Sequence, residues 1–401
     1  MLGNHHNNVR RAHRGAVVLI AFLAIPKSKL SPPVVSQTVD VSCLPANREH
    51  DNSVAFRKFK RQLFHKSLSR ILDSFKPVMT TPEVIIWADG EFRRTIYGLG
   101  TYIADYPEQA LLACIVQGWC PNNLPSIRRC YEHTEALVES LSLGILWDEY
   151  GIVGDVVPFT NDFPRADIHE MLSPDILHQL IKGTFKDHLV EWVGGFLAVE
   201  HGKAHSEAIL ADIDRRIAAV PPFTGLRRFP EGRGFKQWTG DDSKALMKVY
   251  LPAIDGLLPF EIVHAIRAFL EFCYLVRRNV HTPDSLDQLQ KALEDFHKYR
   301  VFFKEEGVDT SGFSLPRQHS LRHYLESIWA YGAPNGLCSS ITESKHIKAV
   351  KEPYRRSNRF QALGQMLVTN QRLDKISASH ADFVERGMLP KSPISMYPLF
   401  Y

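Results

Sequence analysis

The sequence predicts an α/β chain in which helix dominates. Three observations carry that reading. A short strand, a tight turn and a returning strand precede a Pro-opened helix over residues 84–116. Apolar residues then recur at helical spacing through most of 130–330. Finally, no apolar run reaches the ~18 residues that a membrane span requires. A length of 401 residues suits one large domain or two ordinary ones, and 44% hydrophobic with 23% charged residues is an ordinary globular balance.

In chain order, "RRAHRGAVVLIAFLAIPKSK" joins a basic start to a short apolar run. It reads either as a buried strand, since Val17, Val18, Ile20 and Phe22 favour strands, or as a secretory signal over 1–26. Residues 27–52 are polar and carry Pro32, Pro33 and Pro45, which predicts a loop. Residues 53–75 place Phe56, Phe59, Leu63, Phe64, Leu68, Ile71 and Leu72 on a helix that Ser53 can cap. Val84–Trp87 predicts a strand, Asp89-Gly90 a hairpin turn, and Thr95–Tyr97 and Thr101–Ala104 further strand. Pro107 then opens a helix over 108–116, so Asp105 falls where a strand gives way to a helix. Further helices are expected at 131–143, 174–200, 206–219, 241–253, 259–276, 284–303 and 317–330, with a loop at 220–240. The last helices are expected at 342–351 and 357–374, followed by an irregular tail.

The net charge of +4 is unevenly spread. Residues 1–70 hold twelve Lys/Arg against three Asp/Glu, and 343–391 hold ten against five. Basic ends around a near-neutral middle point to an anionic partner such as nucleic acid. The six cysteines form no C-x-x-C pair and read as free thiols of a reducing compartment.

Candidate chemistry gathers in five places. Asp105 is either a helix cap or a metal ligand. Glu343 is either a first-turn acid favoured by the helix dipole or a second such ligand. In "DIHEMLSPDILHQLIKGTF", Asp175 and His178 stand three apart on one helical face, close to His169. Cys120 in "QGWCPNN" reads as a buried thiol. Lys345, Lys348, Lys351, Arg355, Arg356 and Arg359 form either a solvated face or a phosphate-binding one.

Four strings together carry a resemblance: "TYIADYPEQALLACIVQGWCP", "NDFPRADIHEMLSPDILHQLIKGTFKDHLVEWV", "RRFPEGRGFKQWTGDDSKALMKVYLPA" and "PNGLCSSITESKHIKAVKEPYRRSNRFQALGQMLVTNQRLDK". Over residues 3–390 the chain resembles the Plavaka-type transposases of basidiomycete fungi, relatives of the CACTA-like elements. The resemblance implies an incomplete ribonuclease-H-like core with a large all-α insertion, cutting and joining DNA with an Asp-Asp-Glu metal triad and Mg²⁺ or Mn²⁺. It implies that Asp105 is the second Asp, Glu343 the final Glu, and Asp175 with His178 the D-x-x-H motif that follows. The six Lys/Arg after Glu343 would then face DNA.

The domains expected are 1–130 (core), 131–334 (helical insertion), 335–390 (core helices with the final Glu) and 391–401 (tail). The family's first Asp and its strand have no counterpart here, so an N-terminally truncated copy with catalysis lost is expected. The family's "WCPKC"-like pair reads "WCPNN". The resemblance implies a nuclear protein with DNA as partner, no membrane, a homo-oligomer left open, and a retained DNA-binding module as the alternative function.

Overall fold

Helix accounts for nearly all regular structure in the computed structural model, which describes residues 23, 53–87, 89–122, 129–235, 238–309 and 312–390. The strand or signal expected before residue 27, the loop at 27–52 and the tail after 390 fall outside the described residues, Leu23 apart. Described residues 61–342 belong to one compact unit, and 23, 53–60 and 343–390 to another.

Among the described residues, the larger unit begins within α1 (Val54–Ile71). His65 is buried there, and its Nε2–H donates to the Leu111 carbonyl at 3.0 Å while its Nδ1 accepts from the Phe159 N–H at 3.1 Å. Next comes a hairpin of β1 (Glu83–Ile86) and β2 (Phe92–Thr95), antiparallel, with Glu83 opposite Thr95 and Ile86 opposite Phe92. The returning strand therefore starts earlier than Thr95–Tyr97. A tight turn sets hairpin register, and Gly90 at φ +84° lets the chain reverse at once. The strand expected at Thr101–Ala104 is reduced to one residue: Tyr102 makes an isolated parallel bridge to Leu172, its N–H donating to Met171 at 2.8 Å. Among the described residues, strand is confined to this hairpin and isolated bridges.

Helices α2 (Tyr106–Leu112), α3 (Tyr131–Ser140) and α4 (Leu143–Glu149) follow. The expected pair 174–200 and 206–219 is continuous: a π-helical run, α5 (Ile176–Val190), passes directly into α6 (Glu191–Ala218). The anticipated break survives only as Gly202, whose φ of 71° interrupts α6. Within α5, Gly183 admits a close neighbour. A Cβ there would collide with the Arg317 side chain and the His178 carbonyl.

The core lies among α5, α6, α7 (Gly240–Ile254), α8 (Phe260–Val276), α9 (Pro283–Tyr299) and α12 (Tyr324–Tyr331). Local signals place these helices well. Thr239 and Asp242 form a reciprocal capping box for α7, and Thr282 and Ser285 do the same for α9, with Pro283 at its first position. Phe269 of α8 and Phe296 of α9, both fully buried, meet with ring centroids 5.3 Å apart. Each such ring removes enough apolar surface from water to contribute ~2–3 kcal/mol. Three short segments replace the single helix expected at 317–330: α11 (Pro316–His319), a 3₁₀ turn (Ser320–His323) and α12, with α10 (Val301–Glu305) upstream.

Helix α13 (Ser340–His346) begins in the larger unit and ends in the smaller one. There a π-helical turn (Ile347–Lys351), α14 (Glu352–Arg356) and α15 (Ala362–Glu385) follow. Ala349, Pro353, Ala362 and Met366 supply the buried contacts, and Asn370 Nδ2 donates to the Ala349 carbonyl at 2.8 Å. The helix expected at 357–374 starts later and ends later. Residues 357–361 make a turn because the Asn358 carboxamide accepts the Phe360 N–H at 3.0 Å, offering the backbone an alternative to helix. The helix then runs on until Gly387, at φ 72°, stops it.

Candidate functional site

Two short segments run parallel at the Tyr102–Leu172 bridge, and each turns into a helix three residues later. Each turn is capped by an aspartate, Asp105 on the first segment and Asp175 on the second. Asp105 is extended (φ −73°, ψ 169°), half-buried, and its Oδ1 accepts the Glu108 N–H at 3.0 Å. Gln109 ties the two segments together, donating from Nε2 to the Ala104 carbonyl at 2.9 Å and the Ser173 carbonyl at 2.8 Å.

A second acid stands beside Asp105. Burial pushes the Glu108 carboxyl above its usual range, the Tyr102 hydroxyl donating at 3.1 Å pulls it down, and the charge of Asp105 adds to the rise. The sequence reading did not single out Glu108. Its position three residues after a capping Asp was visible as the acidic first-turn spacing, but its burial was not.

Asp175 is 1% exposed, the one deeply buried carboxylate of the predicted set. Its Oδ2 accepts from the His178 N–H and from His178 Nδ1–H, both at 2.8 Å. Ser339 reaches it from far along the chain, its N–H donating to Oδ1 at 2.8 Å and its hydroxyl to Oδ2 at 2.9 Å. Burying a polar side chain is costly unless its oxygens find donors, and both oxygens of Asp175 do. The D-x-x-H pair is thus a polar clamp on Ser339, the residue before α13. His169 is not part of it: it is buried, with Nδ1 at 2.8 Å from the Pro121 carbonyl and Nε2 at 3.2 Å from Thr134 Oγ1.

Glu343 is exposed on α13, one helical turn beyond Ser339 and within the smaller unit, whereas Asp105 belongs to the larger one. Of the predicted phosphate-binding residues, Lys348, Lys351, Arg355, Arg356 and Arg359 are exposed and Lys345 is half-buried. Lys348, Lys351 and Arg355 follow at intervals of three and four residues. Arg356, Asn358, Phe360, Gln365 and Arg372 line a cleft of about 560 Å³ in the same unit.

One further cluster was missed. Cys120 Sγ lies 3.2 Å from His323 Nε2, and His323 Nε2 lies 3.2 Å from His319 Nε2. All three line a pocket of about 210 Å³. The neighbouring Arg129 is buried at 1% exposure; burial lowers its guanidinium to about 10, and its Nε donates to the Cys120 carbonyl at 3.0 Å. The His-x-x-x-His spacing was legible in "PRQHSLRHY", but nothing in the sequence linked it to a cysteine some two hundred residues earlier.

The five cysteines among the described residues are free thiols. No helix among the described residues is long and apolar enough to cross a membrane. Residues 1–193 match the family model of the Plavaka transposase. Two of the four strings that carry the resemblance, and with them Asp105, Asp175 and His178, fall inside this span; Glu343 and the basic residues after it lie beyond. No curated protein matches the chain.

Proposed function

We propose, for a chain whose residues 1–193 match the family model of the Plavaka transposase, a transposase-derived DNA-binding protein whose ancestral chemistry is the cutting and joining of DNA strands by two-metal phosphoryl transfer. In this reading the two capped segments belong to a ribonuclease-H-like core. Asp105 and Glu343 would each offer a carboxylate to a divalent cation, Mg²⁺ or Mn²⁺. The donors suit such an ion: carboxylate oxygens are its preferred ligands, and the Glu108 N–H engages Oδ1 of Asp105 while Oδ2 stands outside that bond. When bound, a metal pair would stabilise the entering and leaving oxygens of the phosphate. The protein's own part is positional. The Glu108 N–H orients Asp105, and Asp175 with His178 fixes Ser339 at the start of the helix that carries Glu343.

The observation that supports this most is the register-matched pair of capping aspartates at the Tyr102–Leu172 bridge, one of them fastened to Ser339. The test is a nicking and strand-transfer assay on supercoiled and linear DNA with Mg²⁺ or Mn²⁺. Activity that is lost in Asp105→Asn and in Glu343→Gln supports the proposal. Activity that survives both substitutions overturns it.

A second reading is favoured by the exposure of Lys348, Lys351, Arg355, Arg356 and Arg359. There the protein is a DNA-binding module without strand chemistry, holding duplex by phosphate contacts alone. Salt-sensitive duplex binding with no nicking in either metal selects this reading over the first.

A further inference from the structure

We infer that Cys120, His319 and His323 form a zinc-binding site, separate from the carboxylates assigned above and resting on none of their roles. Among the described residues these three are the group of His, Cys, Asp and Glu side chains whose ligand atoms converge, all within 4.8 Å of one another. The donor set is one thiolate and two imidazoles, the soft-to-intermediate combination that selects Zn²⁺ over Mg²⁺ or Ca²⁺. Zn–S and Zn–N bonds of ~2.3 and ~2.0–2.1 Å in tetrahedral array place donor atoms roughly 3.3–3.6 Å apart. The 3.2 Å separations of Cys120 Sγ from His323 Nε2, and of His323 Nε2 from His319 Nε2, are close to that spacing.

The local fold explains why the ligands converge. His319 ends α11 and His323 ends the 3₁₀ turn that follows, so two imidazoles four residues apart face the same side. Cys120 arrives on the loop after α2, and that loop is held from two directions. The Tyr106 hydroxyl donates to the Trp119 carbonyl at 2.9 Å and accepts the Gly118 N–H at 2.7 Å. Arg129, itself buried, holds the Cys120 carbonyl from the other side. The pocket shared by the three ligands leaves room for a fourth ligand, water or a small anion.

Binding releases the Cys120 proton to solvent as the sulfur–zinc bond forms. It crosslinks positions 203 residues apart. The metal would therefore fasten the loop beside Tyr106, and so the helix that Asp105 caps, to the segment leading into α12.

Cobalt titration of the metal-free full-length protein tests this. The tetrahedral ligand-field absorption and thiolate-to-cobalt charge-transfer band are expected to saturate at one Co²⁺ per chain, and Zn²⁺ is expected to abolish both and raise the melting temperature. Cys120→Ser, His319→Ala and His323→Ala should each weaken binding by at least roughly tenfold. Cys120→His should restore zinc binding while the charge-transfer band stays absent, which separates lost coordination from lost folding. Asp105→Asn should leave the cobalt spectrum unchanged, so failure of the carboxylate assignment would not affect this result. No cobalt uptake, or uptake undiminished in a Cys120→Ser/His323→Ala double variant, overturns the inference.

Discussion

Ser339 donates both its N–H and its hydroxyl to Asp175, at 2.8 and 2.9 Å, across 164 residues of chain. This contact joins the cap of α5 to the residue that leads into α13, so one buried carboxylate organises two helix starts. His178 adds its own N–H and Nδ1–H to the same side chain. Replacing Asp175 by Ala removes a cap and leaves buried donors without an acceptor. The expected loss is ~3–5 kcal/mol of unfolding free energy, read from the urea midpoint. A change below ~1 kcal/mol would mean that the clamp is incidental.

Asp105 offers a way to separate capping from chemistry. Asp105→Ala should cost about 1 kcal/mol through the lost cap, whereas Asp105→Ser, which can still accept the Glu108 N–H, should keep most of that stability. Under the transposase proposal, both variants lose metal-dependent nicking. Thermal unfolding and the nicking assay, run on the same preparations, give the two readouts.

The interior glycine of α5 supplies a packing test. At Gly183 an added methyl group would collide with the Arg317 side chain and the His178 carbonyl. Gly183→Ala is ordinarily helix-favouring by ~0.5–1 kcal/mol, but here it should destabilise by about 1–3 kcal/mol. An increase in melting temperature would show that α5 can relax away from Arg317.

Burial lowers three histidines, His65, His188 and His297, to about 4. The unfolded chain takes up these protons near pH 6.5, while the folded chain resists until near pH 4. Their contribution to stability is thus complete above pH 6.5 and declines as the pH falls from 6.5 toward 4. His65 contributes on the order of 3 kcal/mol to that decline. Its protonation would also convert Nδ1 from acceptor to donor against the Phe159 N–H. Urea midpoints measured between pH 7 and 4 should fall steadily, and His65→Gln should flatten part of the slope.

On the smaller unit, Arg355, Arg356 and Arg359 are exposed and suited to phosphate contact. If all three touch the DNA backbone, changing them to Ala should reduce the slope of log K against log salt by about 3, with little dependence on sequence. Fluorescence anisotropy on two unrelated duplexes across a salt series measures both quantities. An unchanged slope would remove these residues from the interface.

The sequence by itself determined the helical character, the hairpin turn at Asp89-Gly90, the capped starts of α7 and α9, and the match of residues 1–193 to the Plavaka transposase family model. These depend on neighbours within a few positions, or on strings long enough to be specific, and local chemistry reads directly from order in the chain. Tertiary structure decided the rest. It reduced the strand at 101–104 to a single bridge, because a strand needs a partner that the local pattern cannot supply. It also made Asp175 a buried clamp on Ser339 and brought Cys120 against His319 and His323. Those pairings join residues separated by one to two hundred positions, and their energies come from burial and from hydrogen-bond geometry, which exist only once the chain has packed.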